Sequence, residues 1–188
     1  MSPSAATSIP EPEEASVTAR TLLDTLETSY ELGPRWSNSP LAWTKRLLPA
    51  QKGRVGEQLF AALCNAAAIP TGPRTGSGHD LTCGAYRVEV KFGTLHDTDL
   101  DDPDRVEWLQ LRPGGDFTHV ALLCACPDHV HLWVTTRHTA LALTVGQHGG
   151  KDATETRMLA IDPHSPPPAL GPDYGEDLDQ LAVTLSQP

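Results

Sequence analysis

The segment Tyr86-Arg87-Val88-Glu89-Val90-Lys91-Phe92 alternates apolar and charged residues without a break. A helix would scatter that pattern around its axis. A strand sorts it, because neighbours along a strand point to opposite faces. With Gly78-His79-Asp80-Leu81 upstream and Cys83-Gly84 between, residues 79–92 are expected to form a hairpin. A turn centred between Cys83 and Gly84 puts Leu81 opposite Tyr86 and Asp80 opposite Arg87. Paired residues share a face. One face is then apolar (Leu81, Tyr86, Val88, Val90, Phe92) and the other ionisable (Asp80, Arg87, Glu89, Lys91). A Val-rich strand is normally covered on both sides, and carboxylates side by side repel unless a cation neutralises them. That repulsion is the physical reason to place a metal on the ionisable face.

A helix is expected over about 51–68, ending before Pro70. Val55, Leu59, Ala62, Leu63 and Ala66 fall on one side of it, and Glu57 lies about 200° around from Val55. The neighbours of Glu57 on that side are Phe60, Ala61, Cys64 and Ala68, so the helix presents a third carboxylate from a largely apolar side. Gly53 and Gly56 beside it would let a substrate backbone come close. Three carboxylates and a lysine suit metal-assisted hydrolysis of a phosphodiester. A cation offsets the anion's charge, lowers the pKa of bound water and stabilises the leaving oxygen.

The rest of the chain reads as follows. Residues 1–14 form a disordered acidic tail and 15–50 an N-terminal helical segment, with a helix at 15–31 and a short one at 40–47. Residues 70–78 are a turn-rich loop. Asp102-Pro103 reads as an N-cap with proline at the first helical position, so a helix is expected from 103 to about 112. Strands follow at 117–125 and 129–136, then an extension over 137–188 with a last helix at about 173–185. The fold class is α/β, a central mixed sheet flanked by helices.

The net charge of -10 speaks against a nucleic-acid partner until it is located. Residues 1–34 carry six acidic groups and one basic, and residues 151–188 carry seven and two. The middle, 35–150, holds 11 of each and is neutral. The four cysteines show no obvious disulfide framework, no apolar run approaches the ~20 residues that span a bilayer, and no signal peptide is visible. A soluble chain in a reducing, cytoplasmic compartment is expected, with no membrane partner.

The order helix with Glu57, Asp80 on a strand, Glu89-Val90-Lys91 on its partner, helix, then two strands resembles the PD-(D/E)xK nuclease superfamily, with its restriction-endonuclease-like core, over roughly 51–136. His79 stands where the signature has proline, a position that varies in the superfamily. The resemblance implies a DNA endonuclease using Mg2+ (or Mn2+) held by Asp80, Glu89, the Val90 carbonyl and Glu57, with Lys91 positioning the nucleophilic water. Gln110 falls where the superfamily often places a supporting glutamine on the following helix. Arg74, Arg87 and Arg112 are candidate phosphate contacts. A restriction or defence role follows by analogy. The alternatives are a Holliday-junction or repair nuclease on the same fold, and a catalytically silent binding module. Two active sites are needed to cut both strands of a duplex, and a homodimer would supply them.

Two other patterns are explained without a metal. Cys124, Cys126, His129 and His131 follow the period of a tight hairpin and do not match a common structural zinc spacing. Asp97, Asp99 and Asp101 imitate the start of a calcium loop, but Asp102 stands where glycine is needed. The tryptophans Trp36, Trp43, Trp108 and Trp133 are read as core or interface residues.

Overall fold

The computed structural model describes residues 32–74, 78–96, 104–147 and 156–186. The chain divides into a unit ending at Gly33 and a unit from Pro34 to Pro188, and the second carries every element below. The tail 1–14, the helix expected at 15–31, the Asp97/Asp99/Asp101 stretch and the cap Asp102-Pro103 lie outside the described residues.

A short 3-10 turn over Ala42–Arg46 precedes helix α1, Pro49–Ala66. Pro49 sits in the first turn, where a missing N–H has no intrahelical partner to lose. The Gln51 side chain accepts the Leu48 N–H at 2.9 Å. The buried residues of α1 are Gly56, Phe60 and Cys64, four apart. This corrects the expected face, since Ala62 and Ala66 are exposed and Val55, Leu59 and Leu63 half-buried. The row that meets the sheet must begin small. A Cβ on Gly56 would lie 2.8 Å from Phe92 Cβ and 3.5 Å from Val90 Cγ1. Gly56 therefore seats the helix on the sheet and does not open a path for substrate.

The strands are β1 (Thr71–Pro73), β2 (Leu81–Cys83), β3 (Tyr86–Thr94), β4 (Val106–Leu111), β5 (His119–Ala125), β6 (Val130–Thr136), β7 (Gly146–Gln147) and β8 (Arg157–Ile161). The central sheet has the order β1-β2-β3-β5-β6. β3 and β5 are parallel and the other pairs antiparallel, so the sheet is mixed. The loop expected at 70–78 thus contains a short edge strand.

Leu81 pairs with Val88, Thr82 with Arg87 and Cys83 with Tyr86, not Leu81 with Tyr86. The turn residues are Gly84-Ala85. Gly84 has φ +57°, the left-handed conformation of tight hairpin turns, which glycine adopts without steric cost. Moving the centre of the turn by one position shifts each partner by two, so every residue keeps its face. Leu81, Cys83, Val88 and Val90 are buried in one core with Phe60 and Cys64 of α1 and Leu123 and Leu132 of β5 and β6.

The helix expected at 103–112 is instead strand β4 over 106–111. Val106 and Trp108 are buried by alternation, and β-branched and aromatic residues favour the pleated surface. β4 pairs with β8, which pairs with β7, giving a second, three-stranded sheet. β4 packs on the face of β3 opposite α1. A Cβ on Gly93 would meet Val106 Cγ2 at 2.6 Å, and Trp108 donates its indole N–H to the Leu123 carbonyl at 2.9 Å. Trp108 also meets Trp133 edge-on, with centroids 6.2 Å apart. Between Trp108 and Leu111 the register slips, and Gln110 takes φ +59°.

A short helix α2 (Arg137–Ala142) follows β6, and the last helix α3 is Leu178–Ser186. α3 starts later than expected because 171–177 runs along the outer edge of β6, where the Tyr174 N–H bonds the Leu132 carbonyl at 2.7 Å. Leu181 and Leu185 join the same core as Phe60. Among the described residues, no helix is long and apolar enough to cross a membrane.

The seat of α1 gives a first prediction. Gly56→Ala adds helix propensity of about 1 kcal/mol, yet its methyl group collides with the base of a side chain rather than with a flexible end. A net loss of up to about 2 kcal/mol is expected by urea unfolding, since overpacking costs typically 1–3 kcal/mol. A stabilised variant would show that the helix is free to lift.

Candidate active site

The site forms where β2 stops and β3 continues. Asp80 immediately precedes β2, and its N–H still donates to the Val88 carbonyl at 3.0 Å. One rung further, its side chain takes over from the missing backbone, and Asp80 Oδ2 accepts the Val90 N–H at 2.7 Å. Asp80 therefore lies beside the Val88–Val90 stretch of β3 and not opposite Arg87, which pairs with Thr82. The N–H and C=O of a strand residue leave on the same edge, so the Val90 carbonyl points to the side where Asp80 lies.

Glu89 and Lys91 project from the face of β3 opposite α1, and Lys91 Nζ donates to Glu89 Oε1 at 2.7 Å. Both side chains are largely shielded, 12% and 18% exposed. Burial pushes the Glu89 carboxyl above its ordinary range. Lys91 opposes that shift, Asp80 adds to it, and Arg112 opposes it more weakly. Glu57, exposed on α1, is also raised, first by desolvation and then by the charge of Asp80; Arg74 counters and Glu89 adds. The three carboxylates therefore act on one another from two elements and one loop end. Their ligand atoms do not converge as a preformed triad, which among the described residues only Cys126, His129 and His131 achieve, within 4.8 Å of one another. Like charges without a cation hold themselves apart.

Two clefts flank this edge. One, of about 510 Å³, is lined by Glu57, Thr71, Arg74 and Asp80. The other, of about 560 Å³, is lined by Lys52, Gly53, Val90, Lys91 and Gln110. Gln110 thus shares a cleft with Lys91, although it sits in a bulge of β4 and not on a helix. Arg112 and Arg74 are exposed at positions that act on Glu89 and Glu57. Arg87 is not brought to the carboxylates. It pairs with Asp116, Nη2 to Oδ1 at 3.0 Å.

The residue that the sequence did not single out is Lys52. Its ammonium donates to Thr94 Oγ1 at 3.1 Å, and burial, helped by Lys45, lowers its pKa. It adds a second cation to the cleft of Lys91. Its only signal was its place in the first turns of α1, and nothing in the sequence brings that turn to the end of β3.

All the donors here are oxygens: the carboxylates of Asp80, Glu89 and Glu57 and the Val90 carbonyl. Asp80 and Glu89 each commit one oxygen to the bonds above and have a second to offer. Such a set fits a hard cation of the Mg2+ or Mn2+ kind.

The chain matches no known protein family and no curated protein. Among solved structures it is similar to the bacterial homing endonuclease I-Ssp6803I, at 12% identity over 74% of this chain and 92% of that one, with a TM-score of 0.45.

The carboxylate shifts set a pH dependence. Glu57 and Glu89 ionise later in the folded chain than at the ordinary glutamate value of 4.5. Below that value both states are protonated and nothing is lost. As pH rises through 4.5 and then through the raised folded values, ionisation disfavours the fold. A cation that needs the ionised form offsets this. Mg2+ is expected to raise Tm at pH 8, by about 2.7 kcal/mol of stability at a hundred times its dissociation constant, and much less at pH 4.5. Equal gains at both values in differential scanning fluorimetry would sink the assignment.

Proposed function

We propose that the chain is a metal-dependent DNA endonuclease of the PD-(D/E)xK kind, acting in restriction or defence. The observation that supports this best is the edge of β3. There Asp80 caps the Val90 N–H beside the Glu89–Lys91 pair, so two carboxylates, a carbonyl and an ammonium share one unpaired strand edge. Asp80, Glu89, the Val90 carbonyl and Glu57 would hold Mg2+ or Mn2+. When bound, that ion offsets phosphate charge and makes water more acidic.

The protein side chains do the rest. Lys91, held by Glu89, orients a water toward phosphorus, and its charge is matched to a developing anion in a partly desolvated cleft. Arg112 and Arg74 meet non-bridging phosphate oxygens at the rim. Gln110 offers an amide to the water or to a substrate oxygen. Lys52 adds positive charge beside Lys91. Arg87 neutralises Asp116 and stays out of the reaction.

Spread carboxylates favour a second reading, a nuclease fold that binds DNA without cutting it. Asp80→Asn separates the two. Asparagine keeps an acceptor for the Val90 N–H but loses the charge. Plasmid cleavage with Mg2+ by Asp80→Asn and by Lys91→Ala is expected to fall by roughly 10³ or more, with circular dichroism and Tm close to the parent. Cleavage unchanged in either variant would remove the mechanism, and a parent chain that neither cuts nor takes up Mg2+ would favour the binding module.

A further inference from the structure

The Cys-x-Cys-x2-His-x-His stretch, which hairpin alternation alone was expected to explain, assembles at the tip of β5 and β6. Cys126 and His129 flank the Pro127-Asp128 turn, closed by the Cys126 N–H to the His129 carbonyl at 2.9 Å. Cys124 pairs with His131 one step further along. Alternation places all four side chains on one face.

The two imidazoles are oriented by carboxylates. Asp128 Oδ1 lies 2.6 Å from His129 Nδ1, and Asp173 Oδ2 lies 2.5 Å from His131 Nδ1. A carboxylate that accepts a hydrogen bond from Nδ1–H keeps the ring proton on Nδ1 and leaves the lone pair on Nε2, which is the arrangement that presents a histidine to a metal. The two Nε2 atoms face each other at 2.9 Å. Two lone pairs at that distance repel unless a cation lies between them. The Cys126 sulfur completes the convergence, and Cys126 is only 1% exposed. The sulfur of Cys124 lies 3.9 Å from that of Cys126, close to the ~3.8 Å edge of a tetrahedron with metal–sulfur bonds near 2.3 Å.

Asp173 is itself fixed. Its Oδ1 accepts the Leu132 and Gly175 N–H groups, both at 2.9 Å. A Cβ on Gly175 would lie 2.2 Å from the Val130 carbonyl oxygen, so glycine is what lets this loop press against β6. His131 also stacks on Trp133, centroids 5.1 Å apart. The orienting groups thus come from both the hairpin turn and the chain 42 residues on.

We propose that Cys126, His129 and His131 bind a zinc-class divalent cation, with Cys124 the nearest thiol for the fourth position. Nitrogen and sulfur donors select zinc over magnesium. The Cys126 proton leaves to solvent on binding. The site stiffens the hairpin tip and, through Asp173, the 171–177 loop that covers the edge of β6. The competing arrangement has a proton in place of the metal, with His131 doubly protonated; the Asp173 hydrogen bond raises that imidazole to about 9.

The test uses the full chain purified without chelator. Elemental analysis is expected to find one zinc per chain, unchanged in Asp80→Asn. After chelation, Co2+ is expected to give tetrahedral d–d bands and a thiolate charge-transfer band, and Cys126→Ser to abolish the latter. Asp173→Asn, which keeps an acceptor for the Leu132 N–H, is expected to weaken zinc about 10–100-fold. A parent chain that takes up neither zinc nor cobalt, or a cobalt spectrum that Cys126→Ser leaves intact, overturns the proposal in favour of the protonated pair.

Discussion

Strand β3 is covered on both faces, and the rest of the structure depends on that. α1 rests on one side through Gly56, and β4 rests on the other through Gly93. A strand sandwiched this way should be apolar throughout, yet β3 carries Glu89 and Lys91 on the face that β4 covers. The conflict is resolved at the strand end. β2 ends at Leu81, so beyond that rung β3 has an open edge, and the charged residues sit beside it. Asp80 then satisfies the Val90 N–H, which the missing rung would otherwise strand. The candidate site is the place where the packing of β3 is left unfinished.

The unfinished packing has an energetic signature. Glu89 and Glu57 are both raised, in each case chiefly by desolvation, and Asp80 adds to both. Lys91 reduces the strain on Glu89 but does not remove it. Stability lost at one spot to hold groups ready for a ligand is the usual trade between stability and function. Gln110 belongs to the same pattern. A non-glycine residue at positive φ is costly, and here the bulge turns it into the cleft that holds Lys91.

Much of this was legible in the sequence because parity is a coarse property. The turn of the β2–β3 hairpin was misplaced by one position, and the faces survived, since a symmetric shift changes partners by two. The observed register brings Asp80 beside Val90, whose N–H it caps. β4 was misread because Asp102-Pro103 is a strong local start signal, whereas the strand at 106–111 exists through its pairing with β8, some fifty residues away. Local signals cannot report such a partner. The buried row of α1 was misread for a related reason. Apolar count favoured Val55 and Leu59, but closeness to the sheet selected glycine, phenylalanine and cysteine. Lys52 escaped notice because only the docking of α1 brings it to Thr94.

The two proposed metal environments differ in how far they are built before a metal arrives, and donor chemistry explains the difference. Like-charged carboxylates repel, so Asp80, Glu89 and Glu57 stand apart where no cation offsets their charge. Cys126, His129 and His131 do not all carry the same charge, so they can converge on their own, aimed by Asp128 and Asp173. A preassembled nitrogen–sulfur set loses little ordering entropy on binding and suits a resident ion. An oxygen set that must be gathered suits an exchangeable ion that arrives with an anionic substrate, because the phosphate then contributes both ligands and charge. On these two proposals the donor sets differ enough that the sites would not compete for one ion.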